Sequence, residues 1–108
     1  MRLRTLAHSR SGDKGATTNL SLIALDAQQY PRLAREVTPE RVRAHFAGLF
    51  DGQVVRYELP RLGALNFVLH GRVGGGVTST QALDPHGKSF SSALLEMEIS
   101  DGGITTDR

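Results

Sequence analysis

Cysteine is absent from this 108-residue chain, which excludes a disulfide framework, a thiolate nucleophile and any Cys-ligated metal. Tryptophan is absent as well, so with four Phe and two Tyr the core must be mostly aliphatic. No apolar run approaches the ~20 residues that span a bilayer. The opening Met1-Arg2-Leu3-Arg4-Thr5-Leu6 also lacks the apolar stretch of a secretory signal. A cytoplasmic protein without membrane contact is the expectation. Nor is there a large charge of one sign: 13 Lys and Arg face 11 Asp and Glu, a formal +2. Arg32, Arg35, Arg41 and Arg43 are interleaved with Glu36 and Glu40 and read as a solvated helix face. No nucleic-acid motif accompanies them, so nucleic acid is not an expected partner. What remains, 39% hydrophobic and 22% charged residues, suits one globular domain over 1–99 with a flexible tail over 100–108.

Residues 2–8 alternate weakly and read as a short strand. Residues 9–16, rich in Ser and Gly, read as a loop. Thr17 to Leu25 forms a central strand, and 26–36 a weak helix interrupted by Pro31. Thr38 as N-cap, Pro39 at the first helical position and Glu40 beside the dipole start a helix carrying Val42, Phe46, Leu49 and Phe50. Asp51-Gly52 closes it, with Gly52 placed for a left-handed C′ conformation. Val54 to Leu59 is a strand stopped by Pro60. Residues 61–71 fit a helix and a strand equally well; we read a buried helix ending at Gly71. Thr78 to Leu83 is the fourth strand, Asp84-Pro85-His86-Gly87 a turn, and Phe90, Ala93, Leu94 and Met97 a last amphipathic helix. Four strands with interspersed helices make an α+β sandwich with one sheet face covered and the other partly open.

The first candidate site is Ser9-Arg10-Ser11-Gly12-Asp13-Lys14-Gly15. Its two glycines allow a sharp bend that points backbone N–H groups into one concavity, and Arg10 and Lys14 add positive charge. Such a loop suits a carboxylate or phosphate. The plainer alternative is a turn in which Asp13 pairs with Lys14 or Arg10. The Walker A spacing is missing, so no NTPase is indicated. The second candidate joins Asn66, His70 and Gly74-Gly75-Gly76. On a helix residues 66 and 70 share a face; alternatively Asn66 satisfies a backbone group and His70 caps a helix end. The four histidines are scattered and give no metal-ligand spacing, so no metal site is expected.

Three stretches together resemble a known family: Ala7 to Gly15, then Tyr57-Glu58-Leu59-Pro60 leading into Leu62 to Leu69, then Gly74-Gly75-Gly76. With Ala93 to Ile99 they are similar to the small AtuA-like domain of the acyclic terpene utilisation family, from about Leu3 to Ile99. The resemblance implies a ferredoxin-like fold, a four-stranded mainly antiparallel sheet with helices on one face. It implies no cofactor and no assigned catalytic residue. It implies a pathway context instead: bacterial catabolism of terpenoid or branched acyl-CoA or carboxylate compounds, in a family whose larger members carry this domain. Small size and a partly open sheet face add the expectation of a binding or assembly subunit that acts with a larger family-related protein and forms a homo-oligomer. At Ala16 and Thr17 this chain departs from relatives that carry an acidic residue there, so no role is transferred to that position. The alternative to an assembly role is a catalytic or ligand-binding domain, and the two candidate sites read from the residues then supply its ligand set: Arg10, Ser11, Gly12, Asp13, Lys14, Gly15, Asn19, Asn66, Gly74, Gly75 and Gly76, around an acyl-CoA or carboxylate anion.

Overall fold

A computed structural model describes residues 1–72 and 90–100. Four strands make its sheet: β1 (Ala7–Lys14), β2 (Thr17–Ala24), β3 (Val54–Leu59) and β4 (Ala64–Leu69). Their order is β1-β2-β4-β3, and every neighbouring pair is antiparallel. Helices α1 (Tyr30–Glu36), α2 (Pro39–His45) and α3 (Phe90–Leu94) pack on one face. The α+β architecture therefore matches the expectation, but two of its strands lie elsewhere.

The 9–16 segment is not a loop. It is most of β1, paired residue by residue with β2 from Ala7↔Ala24 to Lys14↔Thr17. Its polar composition misleads because β1 has a described neighbour on one side only, so few of its side chains meet the core. Pairing with the apolar β2 supplies the order that β1's own residues lack. The strand expected over 2–8 is correspondingly a 3-10 turn at Leu3–Thr5. There Leu3 and Arg4 donate backbone N–H bonds to the carbonyls of Met97 and Leu95, at 2.8 and 3.0 Å.

Residues 61–71 are not a helix either. A 3-10 turn at Pro60–Leu62 leads to Gly63, at φ +62°, and then to β4. Leu65, Phe67 and Leu69 alternate into the core while β2 and β3 bond both flanks of the strand. The pairing of both edges outweighs a helix that could satisfy its backbone only locally. β4 is thus the fourth strand; the one expected over Thr78–Leu83, the 84–87 turn and Gly74 to Gly76 lie outside the described residues.

The helices expected from the sequence match the structure better at their starts than at their ends. Thr38 Oγ1 accepts from the Arg41 N–H at 3.1 Å, as an N-cap should. The helix stops at His45, before Phe50, and the left-handed residue is Gly48, at φ +87°, not Gly52. Gly52 is needed for space: a Cβ there would stand 2.8 Å from the His70 carbonyl oxygen. Pro31 does not interrupt α1 but sits in its first turn, where its missing N–H costs nothing. The last helix ends at Leu94, short of Met97.

Leu20, Leu22, Leu65, Phe67 and Leu69 line the covered sheet face beneath Leu33, Val37, Val42, Phe46 and Leu94. Each such burial stabilises by roughly 1.5–3 kcal/mol. Phe46, Phe50 and Phe90 form an aromatic cluster with centroids 5.5–6.3 Å apart. Met97 and Ile99 complete the core from a stretch that pairs with the amino terminus through the Arg2↔Glu98 bridge. Ser100, the first residue of the expected tail, donates its hydroxyl to Glu36 at 2.6 Å.

Candidate functional site

Strand alternation sorts the sheet into two faces. The face turned away from the helices carries cross-strand rows that follow from the register. One row is Arg10–Ser21–Asn66–Tyr57, and the next toward the β1–β2 hairpin is Gly12–Asn19–Val68–Val55. Lys14 and Thr17 close that end, while His8–Ile23–Ala64–Leu59 form the row at the other. The open face therefore grades across the strands, from His8, Arg10 and Lys14 on β1 to Val55, Tyr57 and Leu59 on β3. Leu59 is exposed on it, and Leu25 and Leu62 are exposed just beyond the strands. None of the residues that the four strands place on this face is acidic.

Near the hairpin the face holds a depression of about 370 Å³, lined by Gly12, Asp13, Lys14, Thr17 and Asn19. Gly12 leaves room above the strand, because a Cβ built there would meet nothing within 4 Å. Its own φ is not in the left-handed region, so the glycine is a gap in the row of side chains and not a bend. The bend belongs to Gly15, at φ +59°, followed by Ala16 without a positive φ, the combination of a two-residue II′ hairpin. The imagined cradle of backbone amides is thereby corrected: in β1 the amides lie in the plane of the sheet, alternately toward β2 and toward the strand's outer edge, so what the open face offers a ligand is side chains.

Asp13 points to the covered face. Its carboxylate accepts from the Thr18 hydroxyl at 2.8 Å and from the Arg72 guanidinium at 3.2 Å. Neither Lys14 nor Arg10 is its partner, so the turn reading was right about Gly15 and wrong about the pairing. Arg72 also donates its N–H to the Ala16 carbonyl at 2.9 Å and stacks 4.8 Å from the Phe90 ring centroid. This residue, not singled out in the sequence, clamps the hairpin tip to β4 and α3. Ser11 faces the same side as Asp13 and is exposed. Ser9 donates its hydroxyl to the Ser21 carbonyl, a bond that stitches β1 to β2.

Of the expected ligand set, Arg10, Gly12, Lys14, Asn19 and Asn66 share the open face. Ser11 and the Asp13 carboxylate do not, Gly15 shapes the turn, and the three later glycines lie outside the described residues. Asn66 reaches the face by strand alternation, beside Ser21 and Tyr57, and not by helical spacing with His70. His70 caps no helix; its N–H bonds the Gln53 carbonyl at 2.9 Å. Arg10 and Lys14 form no ion pair among the described residues, whereas Arg2, Arg4, Arg35, Arg41, Arg56 and Arg72 all face carboxylates. Among the described residues no group of His, Asp and Glu is placed to hold a metal, and no helix is long and apolar enough to cross a membrane. Chemically, the face can bind by charge, amide donors and apolar contact.

The class is that of an α+β sandwich whose antiparallel sheet is covered by helices on one side and open on the other. More narrowly, the chain belongs to the AtuA ferredoxin-like domain family, whose profile matches residues 1–100. No curated protein and no solved structure gives a significant match.

Proposed function

We propose that the chain is a binding and assembly module that docks through its open sheet face on a larger protein of the acyclic-terpene-utilisation type. That complex would work in cytoplasmic catabolism of terpenoid or branched acyl-CoA or carboxylate compounds. The reading is carried by one observation: a four-stranded sheet has one face buried under helices and the other bearing exposed Tyr57, Leu59, Arg10 and Lys14. Apolar groups beside charges of one sign, with no ion-pair partner among the described residues, fit a protein surface with a complementary apolar patch and carboxylates. Self-association by the same face is disfavoured, since like charges would add repulsion to any contact that brings the basic ends together.

The test is co-purification of the chain with a larger family protein from the same cell, with masses determined by light scattering. Tyr57→Glu with Leu59→Glu should abolish the complex and leave circular dichroism of the isolated chain unchanged. A complex that survives both substitutions assigns docking to another surface and overturns this reading.

A further inference from the structure

The sequence Arg10-Ser11-Gly12-Asp13-Lys14, laid out as a strand, puts a cation, a gap and a cation in line on one face. We infer that this gap is a binding site for a phosphate-type oxyanion, seated over Gly12 between Arg10 and Lys14. The inference draws on two of the cations that the docking proposal uses, but it is tested on the isolated chain, where no partner competes for them.

Four features carry it. The floor is Gly12, over which a Cβ would find open space, inside a depression of about 370 Å³. The walls include Lys14 and the donors Thr17 and Asn19, and Asn19 is the direct cross-strand partner of Gly12. Arg10 stands two residues before Gly12 on the same face. By strand rise its Cα is roughly 13 Å from that of Lys14, so two long side chains can lean over the gap from either end. Finally, the nearest carboxylate is already committed. Asp13 is turned to the other face and held by Thr18 and Arg72, which leaves the Arg10 and Lys14 charges without a counter-ion among the described residues.

The donor set favours phosphate over carboxylate. A guanidinium fork, an ammonium, an amide and a hydroxyl can share the several oxygens of a doubly charged tetrahedral group, whereas a carboxylate offers two oxygens and a single charge. A diphosphate suits the spacing better than a single phosphate, since each cation can take one phosphoryl group.

The experiment is titration of the isotope-labelled full chain with inorganic phosphate, pyrophosphate and acetate at constant ionic strength, read by amide and side-chain NMR shifts. Saturable shifts at Gly12, Thr17 and Asn19 with pyrophosphate at or below the millimolar range are expected, with acetate at least tenfold weaker. Gly12→Val should fill the gap, keep the strand and its thermal midpoint, and weaken pyrophosphate at least tenfold. Lys14→Gln and Arg10→Gln should each weaken it by about tenfold, the range of a lost charge-assisted hydrogen bond. Absence of saturable shifts by about 10 mM, acetate as strong as pyrophosphate, or Gly12→Val binding like the parent would each overturn the inference. The docking proposal would stand or fall separately on the complex with the larger protein.

Discussion

The two faces of the sheet use arginine in opposite ways. On the covered face Arg56 and Arg72 have side chains only 16% exposed, and each holds a carboxylate, Glu58 and Asp13 respectively. Arg56 donates to the Ala34 and Val37 carbonyls at 2.6 and 3.0 Å, closing the carboxyl end of α1, and to Glu58 at 2.7 Å. On the open face Arg10 lies in water with no partner among the described residues. A cation withdrawn from water must find acceptors, whereas a hydrated one need not. An unpaired charge kept on an open face therefore stabilises nothing in the fold and is free to bind.

The contrast can be broken at several points. Phe67→Ala removes the buried aromatic at the centre of the covered face and should cost about 3–5 kcal/mol, read as a large drop in denaturation midpoint. Next, Arg56→Met leaves the Ala34 and Val37 carbonyls short of a donor, and a loss of about 1–3 kcal/mol is expected in urea unfolding. Arg10→Met, the matching change on the open face, should stay within about 0.5 kcal/mol of the parent. A large effect there would show that Arg10 has a structural duty and would dissolve the distinction between the faces.

Asp13→Asn falls between these extremes. It weakens the clamp to Thr18 and Arg72 at a half-exposed carboxylate, so about 1 kcal/mol or less is expected. Oxyanion affinity should not fall; a fall would mean that Asp13 serves the depression directly. The smallest effect is one of pH. The Ser100 hydroxyl, then the Ser100 N–H and the Arg41 guanidinium, hold the Glu36 carboxyl below its ordinary value, with partial burial opposing them. A lowered carboxyl stabilises the fold above its unfolded pKa of about 4.5, and that contribution disappears as pH falls through the lower folded value. Glu36→Gln should therefore flatten the acid side of the stability curve below about pH 4.5, measured by thermal unfolding.

Legibility in the sequence followed the degree of local control. The start of α2 was readable because Thr38, Pro39 and Glu40 act within one turn. β2 and β3 were readable because apolar runs bounded by Asp26 or Pro60 need no partner to be recognised. β1 and β4 were not. In β1 the polar side chains mimic a loop, and in β4 Leu62, Leu65 and Leu69 imitate a helical stripe as well as Leu65, Phe67 and Leu69 imitate a strand. Arg10, Gly12, Lys14 and Asn19 belong to the expected ligand set and share the open face, although by strand register and not by the bend expected of a loop. Arg72 carried no local signal, since it acquires its place from Asp13 and Ala16, far away in sequence.

By itself the sequence determined composition-level and short-range matters: an aliphatic core, the capped start of α2, the absence of thiol chemistry, and a family resemblance covering most of the chain. Only the tertiary structure decided which residues share a face. Pairing Gly12 with Asn19 and Asn66 with Ser21 and Tyr57 depends on backbone hydrogen bonds between segments as much as about 45 residues apart. The physical reason is that a strand's side-chain period is two, so which residues meet is set by register with its neighbours and not by the strand's own residues.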